Sequence, residues 1–276
     1  MKFVTYPLVV CIILTSCQNV TQINPKPKLN DPDSLKYKLA PIFSGDWVVV
    51  SYMDSIKLSK SPYKSQNELP GIVELNIRIE APVSDSAIIG VVNIHEGTNL
   101  TLYFRQGTLQ TSLPLNLKDY EKPKDYFELG YGLENNDTVL LLYHFDQTGV
   151  RVSETKYSKV TNHKEEAFQY QLNKTLFSGS YERIDSLEAS GEIGLTNDGV
   201  ISGLSSWDRY FVIADFVTAN DSATDEICFQ IQTKNQICFG YRFNGDTLRL
   251  FKKIEDENGE FKKPGDLEYV MVRKAK

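Results

Sequence analysis

The sequence predicts an all-β protein: two tandem antiparallel β-barrels of about eight strands each, after a signal peptide and a flexible tether. Two segments begin alike, Phe43–Tyr52 with Phe-Ser-Gly-Asp-Trp and Phe177–Ile184 with Phe-Ser-Gly-Ser-Tyr. A second pair of similar segments, Asn135–Leu142 and Asn244–Phe251, follows them in the same order. Landmarks that recur in order indicate one structural unit used twice.

The pattern between these landmarks is typical of short antiparallel strands. Ile72–Glu80 alternates strictly between apolar and polar residues, which indicates a strand with one buried face. Asn244-Gly245, between two alternating segments, is a strong hairpin signal. The segments lack a strand–helix–strand rhythm, and one short helix is expected at Met53–Ser59. The predicted boundaries are 42–162 for the first barrel, 163–175 for a linker and 176–276 for the second barrel.

The N-terminus predicts export and a lipid anchor. Phe3–Ile13 is an apolar run too short for a membrane span of about 20 residues, and residues 1–16 fit a signal peptide. Leu14-Thr15-Ser16-Cys17 resembles the lipobox of bacterial lipoproteins. The resemblance implies cleavage before Cys17 and a diacylglycerol on its thiol; an ordinary secretory signal is the alternative.

The residues after Cys17 bear on location. In lipoproteins an Asp after the lipidated Cys favours the inner membrane, so Gln18 implies the outer membrane. No acidic cluster follows, which favours the periplasmic face over the cell surface. Residues 17–41 are polar and contain four prolines, so they are expected to form a lipidated tether.

Composition and motifs argue against several classes of function. The net charge of −6 and pI of about 5.3 exclude the basic footprint of a nucleic-acid-binding protein. The sequence lacks a nucleophile elbow, a glycine-rich phosphate loop and paired carboxylates with a catalytic setting. His95, His144 and His163 have no metal-ligand spacing. We therefore expect a protein without catalytic activity, cofactor or metal.

Two cysteines of the second unit lie on the predicted arms of one hairpin. In Ile227–Ile231 and Ile237–Phe239 the apolar residues share one face, so Cys228 and Cys238 project from the other. One strand register places the two thiols directly opposite each other, close enough for a disulfide. A shift by two residues makes them diagonal and leaves them free. The sequence leaves both alternatives open, although an exported protein can keep a disulfide.

Gly45-Asp46-Trp47 resembles the Gly-x-Trp motif on the first strand of lipocalins, and Gly179-Ser180-Tyr181 is a weaker copy. Together with the lipobox, the chain resembles a lipocalin-like bacterial lipoprotein. The resemblance implies that each aromatic closes the base of its barrel beneath a basic residue from a late strand. Lys159 is the candidate partner of Trp47, and Arg273 that of Tyr181. The lipocalin Thr-Asp-Tyr motif has no counterpart here.

The same resemblance implies a periplasmic binding protein for a small apolar ligand. The expected ligand-facing residues of the first barrel are Leu75, Ile77, Leu102 and Phe104. An eight-stranded barrel is also just wide enough to be filled by its own side chains, which would leave no room for a ligand. The alternative function is a non-catalytic scaffold or inhibitor subunit of an envelope assembly. Such a subunit would contact its protein partner through outer faces, for which Leu140–Leu142 is the candidate.

Overall fold

The first unit is a closed antiparallel barrel of eight strands. In the computed structural model, each strand pairs with the next along the chain, and β8 returns to pair with β1. The strands are β1 Gly45–Val49, β2 Glu74–Ile77, β3 Ser86–Val92, β4 Gly97–Tyr103, β5 Ser112–Leu115, β6 Tyr126–Glu134, β7 Asp137–Phe145 and β8 Arg151–Val160. The structure describes residues 32–79, 85–164, 166–185, 192–216, 224–255 and 261–275.

The second unit is an eight-stranded antiparallel barrel that is nearly closed. Its sheet runs from β11 through β10, β9, β16, β15, β14 and β13 to β12. The two outer strands meet through one isolated bridge, Val200 opposite Arg209. The strands are β9 Gly179–Arg183, β10 Ile193–Leu195, β11 Ile201–Ser202, β12 Tyr210–Val212, β13 Glu226–Phe229, β14 Ile237–Asn244, β15 Thr247–Glu255 and β16 Phe261–Arg273.

The prediction of two eight-stranded antiparallel barrels is confirmed. The first strand ends at Val49, and helix α2 Val50–Ser59 covers the short helix expected at Met53–Ser59 and begins three residues earlier. The chain leaves α2 through Lys60 in a left-handed conformation and starts the short helix α3 Pro62–Ser65, capped by Ser61.

The predicted tether extends too far, because its last part is helix α1 Pro32–Phe43. Leu35, Leu39 and Phe43 recur every four residues and are buried along one face of the helix. The Phe43 ring meets Tyr131 of β6 edge-on, with centroids 6.2 Å apart. These contacts make α1 part of the barrel's core. The signal peptide and Cys17 lie outside the described residues.

Most of the predicted linker 163–175 is a helix, α4 Ala167–Leu176. On one side, the backbone N–H of Phe168 donates to the buried Glu74 carboxylate of the first barrel, at 2.6 Å. On the other, the Asn173 side chain donates to the carbonyl of Asn197 in the second unit, at 3.0 Å. Since α4 is buried against both barrels, its apolar residues do not follow the one-sided period that identifies a surface helix.

Further contacts join the two units. The backbone N–H of Tyr63 donates to Asp225 Oδ1 at 2.9 Å, and the Tyr63 ring meets Phe216 edge-on at 5.3 Å. His95 Nδ1 lies 2.7 Å from Asp215 Oδ2. The buried apolar residues of both barrels and of the helices form one continuous cluster. Among the described residues, no helix combines the length and apolar character needed to cross a bilayer.

Strand pairing determines which residues face the inside of the first barrel, because directly opposed residues project to the same side. The pairs Leu129–Leu142 and Tyr157–Leu140 place both leucines of β7 inside. The expectation that Leu140 and Leu142 form an outer docking face is therefore wrong. The interior residues, followed around the barrel, include Trp47, Val49, Leu75, Ile77, Val91, Ile89, Ala87, Leu100, Leu102, Leu115, Leu113, Phe127, Leu129, Tyr131, Leu140, Leu142, His144, Ser153, Thr155, Tyr157 and Lys159.

Candidate functional site

The base of the first barrel is closed by Trp47 and Lys159, which lie directly opposite each other on β1 and β8. The indole of Trp47 is fully buried, and its Nε1 donates to the carbonyl oxygen of Phe43 at 2.7 Å. Lys159 Nζ lies 5.3 Å from the ring centroid and donates to the carbonyl of Ser44 at 2.7 Å. The cation thus covers the ring and ties the end of α1 to the last strand.

The second barrel repeats this arrangement with Tyr181 and Arg273, which are opposed on β9 and β16. The Tyr181 hydroxyl donates to the carbonyl of Phe177 at 2.7 Å and accepts a hydrogen bond from Arg273 Nε at 3.0 Å. The guanidinium carbon lies 5.3 Å from the ring centroid, and Arg273 also donates to the carbonyl of Leu176. Burial raises the pKa of the Tyr181 hydroxyl, which keeps its proton available for donation.

The glycine of each Phe-Ser-Gly turn explains why this sequence recurs. Gly45 and Gly179 have φ of 139° and 150°, a region that residues with a Cβ rarely adopt. A Cβ at Gly45 would lie 2.4 Å from Lys159 Cε. The glycine therefore lets the chain turn from helix to strand and lets the basic side chain cross over it. The two predicted pairings, Trp47 with Lys159 and Tyr181 with Arg273, are both present in this geometry.

The predicted ligand-facing residues lie in the filled half of the first barrel. Leu75, Ile77 and Leu102 are 0% exposed and Phe104 is 1% exposed, so no space large enough for a water molecule adjoins the first three. The ammonium of Lys36 on α1 lies 5.5 Å from the centroid of the Phe104 ring. The base half of the barrel is thus packed with its own side chains, and a ligand could reach these residues only by displacing them.

Towards the opposite end of the first barrel, its mouth, the interior residues are less deeply buried. Exposure of the interior residues rises towards it: Leu115 and Leu142 are 7% exposed, Phe127 and Thr155 are half-buried, and Ser153 is exposed. We call this group of side chains the cup: Leu115, Leu142 and Phe127 are its apolar members, and Thr155 and Ser153 are its polar members on β8. The cup is the part of the interior that an external molecule can reach.

One edge of the cup carries a cluster of ionisable side chains that sequence analysis missed. The imidazole of His144 on β7 stacks on Phe127, with centroids 4.5 Å apart. Its Nε2 lies 3.0 Å from Asp125 Oδ2 and 3.9 Å from Asp119 Oδ2. Both aspartates belong to the connection between β5 and β6. The sequence contained part of the signal for this cluster. The two-residue turn at Asn135-Asn136 places Phe127 opposite His144, and Asp125 precedes Phe127 by two residues.

The mouth of the second barrel is covered by Trp207, which the sequence analysis also did not single out. Trp207 lies between β11 and β12 and stacks on Phe229 at 4.5 Å between centroids. It meets Phe239 and Tyr269 edge-on, at 5.8 and 5.5 Å. The guanidinium of Arg183 lies 4.5 Å from the Tyr269 ring centroid. These four rings fill the end of the second barrel, in contrast to the open cup of the first.

The structure contains the disulfide between Cys228 and Cys238. The two residues are direct partners on β13 and β14, with Cα atoms 4.0 Å apart. They project from the face opposite to Ile227 and Phe239, whose side chains are buried in the interior of the barrel. Of the two registers that the sequence left open, the structure has the one with opposed thiols.

A second polar group lies outside the base of the first barrel. Arg78 donates to both carboxylate oxygens of Asp46 at 2.7 Å, and His163 Nε2 lies 2.9 Å from Asp46 Oδ2. The hydrogen bond to Asp46 raises the pKa of Arg78. With Lys159, these residues line an open pocket of about 730 Å³. The carboxylate of Asp46 thus already has two partners in this pocket, Arg78 and His163.

The fold and the site define a protein of two small β-barrels, each closed at its base by a helix and an aromatic–cation pair, of which the first has an open mouth. Comparison of the chain with protein-family models, curated proteins and solved structures finds no match.

Proposed function

We propose that this protein is a non-catalytic, lipid-anchored binding protein whose first barrel holds a small, mainly apolar ligand in the cup at its mouth. The observation that carries the proposal is the gradient of exposure along the interior, from fully buried at Leu75 to half-buried at Phe127. The lipobox resemblance supports attachment through Cys17 to the outer membrane, with the barrels on its periplasmic face.

The cup has the chemistry of a weakly polar binding site. Leu115, Leu142 and Phe127 offer apolar surface, whose burial contributes about 25 cal/mol per Å². Thr155 and Ser153 on β8 provide hydroxyl groups at the edge, suited to orienting a polar end of the ligand. The packed base limits the depth, so the site suits a small molecule or one end of a longer chain.

A pair of neighbouring substitutions tests the proposal. Thr155→Tyr places a ring in the cup, whereas Lys156→Tyr places the same ring on the outer wall of the same strand. We expect Thr155→Tyr to weaken binding of an apolar fluorescent dye by about 10-fold or more, because it occupies the space of the dye. Lys156→Tyr, which removes only a surface ion pair with Glu134, should bind like the wild type.

Native mass spectrometry of the protein purified from its own membranes provides the second measurement. The proposal expects a bound small molecule that is absent from Thr155→Tyr. Equal dye binding by both variants, or a wild-type protein that binds neither dye nor a cellular molecule, would refute it.

A second candidate function, a scaffold or inhibitor subunit of an envelope assembly, is favoured by the packing of the base. Leu75, Ile77 and Leu102 leave no room for a ligand, and α4 holds the two barrels together. Crosslinking in intact cells distinguishes the candidates. A scaffold is expected to yield one stable protein partner in wild type and Thr155→Tyr alike, whereas a ligand-binding protein loses its bound molecule in the variant.

The anchor requires its own experiment. Cys17→Ser should lack the added mass of the lipid in intact-mass measurements. It should also release the protein into the soluble periplasmic fraction. A membrane-impermeant reagent should leave the protein unlabelled in intact cells. Strong labelling would place it on the cell surface instead.

A further inference from the structure

We propose that His144, Asp119 and Asp125 bind one divalent transition-metal ion, with Zn²⁺ as the best-fitting class, at the mouth of the first barrel. This inference goes beyond the binding of an apolar ligand and does not rest on it. It rests on three potential ligand atoms, one from each residue, that all lie within 4.8 Å of one another.

The distances fit a metal centre. Zn²⁺ binds imidazole nitrogen and carboxylate oxygen at about 2.0–2.2 Å, so the ligand atoms of a tetrahedral site lie about 3.4 Å apart. The Nε2 of His144 lies 3.0 Å from Asp125 Oδ2 and 3.9 Å from Asp119 Oδ2, on either side of that value. Shifts of a few tenths of an ångström would complete the geometry.

A hydrogen bond to His144 accounts for only one of the two carboxylates. Asp125 alone gives His144 a hydrogen-bonded carboxylate, and at 3.9 Å Asp119 is too far from the imidazole to form a second bond. Yet Asp119 turns Oδ2 towards the same nitrogen, at the distance of a loose ion pair. Two carboxylates thus converge on one imidazole nitrogen, as they do where a metal ion is bound.

Two of the three side chains, Asp119 and His144, are held in place by their surroundings, as metal ligands usually are. Asp119 Oδ1 accepts hydrogen bonds from the backbone N–H groups of Glu121 and Lys122, at 2.8 and 3.0 Å, which directs Oδ2 towards His144. The His144 ring is fixed by stacking on Phe127. The side chains of His144, Asp119 and Asp125 are 14%, 25% and 8% exposed, so an ion can enter although the site is largely desolvated.

The other candidate group in the described part of the chain is Glu226 with Cys228 and Cys238. Its sulfur atoms are joined in the disulfide and cannot act as thiolate ligands. His95 pairs with Asp215 and His163 with Asp46, and neither belongs to such a group of three. Of these groups in the described part of the chain, the one formed by His144, Asp119 and Asp125 therefore combines an imidazole with two converging carboxylates.

The donor set selects the class of ion. One nitrogen and two carboxylate oxygens suit Zn²⁺ or Co²⁺, whereas Ca²⁺ requires six to eight oxygen ligands. Three protein ligands leave at least one coordination position for water or for an anionic group of a bound molecule. Such an ion would tie the β5–β6 connection to β7 at the edge of the cup.

The test measures Zn²⁺ binding to the full-length lipoprotein in detergent, after removal of metal with a chelator, by competition with a chromophoric indicator. We expect one equivalent of Zn²⁺ per chain. His144→Gln and Asp119→Asn should each weaken binding by about 100-fold, because two ligands remain. His95→Gln removes another histidine that faces an aspartate and should retain the wild-type affinity. Co²⁺ should give visible absorption bands in the wild type that Asp119→Asn lacks.

Asp119→Asn also controls for folding, since Asn keeps an oxygen that accepts the two backbone N–H groups. Its far-UV circular dichroism and its thermal unfolding without metal should match the wild type. Wild-type affinity in either ligand variant, or a wild-type protein without a stoichiometric site, overturns the proposal. Dye binding to the metal-free protein is measured separately, so failure of the metal site and failure of the apolar site are distinguishable.

Discussion

Trp47 and Tyr181 make the same hydrogen bond in the two barrels: each donates to the carbonyl oxygen of the phenylalanine four residues earlier, at 2.7 Å. The donors differ chemically, an indole N–H in one unit and a phenol O–H in the other. In both, the phenylalanine is fully buried at the end of the helix that precedes the first strand. The repeated unit is therefore a helix, a Phe-Ser-Gly turn and a barrel, and the bond joins the helix to the strand.

Removing these donors should destabilise both barrels. Trp47→Phe and Tyr181→Phe each leave a buried carbonyl without its partner, which costs about 1–3 kcal/mol. We expect a lower free energy of unfolding in urea for both variants, with Tyr181→Phe the more affected because Arg273 also loses an acceptor. Wild-type stability in both variants would show that the repeated bond contributes nothing.

Arg273 is expected to contribute more to the free energy of unfolding than Lys159. Arg273 is partly buried and bonds both Tyr181 and the carbonyl of Leu176, whereas Lys159 is exposed and bonds only the carbonyl of Ser44 among the contacts described. Arg273→Met should cost about 2–4 kcal/mol and Lys159→Met about 0.5–1 kcal/mol. Urea unfolding of the two variants measures the difference, and equal effects would contradict the geometry.

The register of strand β7 can be tested by comparing substitutions at Leu140 and Leu141, which point to opposite sides of the barrel wall. Leu140 is fully buried inside the barrel, whereas its neighbour Leu141 is half-buried on the outer wall. Leu140→Ala should cost about 3–5 kcal/mol through the cavity it leaves, and Leu141→Ala about 1 kcal/mol. The comparison requires only equilibrium unfolding. The opposite order would mean that β7 is shifted by one residue.

The disulfide should contribute measurably to stability. Cys228 and Cys238 are 10 residues apart, and closing a loop of that size is worth about 2–3 kcal/mol through the unfolded chain. Cys228→Ala/Cys238→Ala should therefore unfold at lower urea concentration than the oxidised wild type. A reductant should lower the wild-type midpoint to that of the double variant and leave the variant unchanged.

The free energy of unfolding should depend on pH through the carboxyl group of Asp225. Its carboxyl lies between the barrels, and burial raises its pKa above the ordinary value of 3.8. The folded state thus binds the proton more tightly than the unfolded chain, so this group's contribution to stability falls as the pH rises from about 3.8 through the folded-state pKa. Asn at this position carries no charge and still accepts the N–H of Tyr63.

We therefore expect the stability of Asp225→Asn, relative to the wild type, to be higher at pH 7.5 than at pH 4.5. Urea midpoints at the two pH values give the comparison. Asp137→Asn, at an exposed position in the β6–β7 hairpin, serves as the matched control. A relative stability that falls with pH would mean that the Asp225 carboxylate is stabilised in the folded state.

Part of the candidate site could be predicted from short-range sequence. The pairing of Asp125 with His144 follows from the hairpin centred on Asn135-Asn136, because a two-residue turn fixes the register of its strands. The position of Asp119 does not follow, since it depends on how a ten-residue connection folds back over the barrel mouth. Trp207 was missed for the same reason, because a loop residue has no periodicity that points to a core.

The repeat and the antiparallel strands could be predicted from the sequence because strand alternation and hairpin turns are local properties. The pairing of Trp47 with Lys159 and of Tyr181 with Arg273 was expected from the lipocalin resemblance. The helices at residues 32–43 and 167–176 became visible only in the folded protein. The apolar stripe of α1 is only three residues long and lies in a polar segment that contains Pro41. Helix α4 is buried on two sides and shows no one-sided apolar stripe. Whether the interior of the first barrel is filled could not be predicted from the sequence either. The answer depends on how side chains from eight strands and a helix pack into one volume.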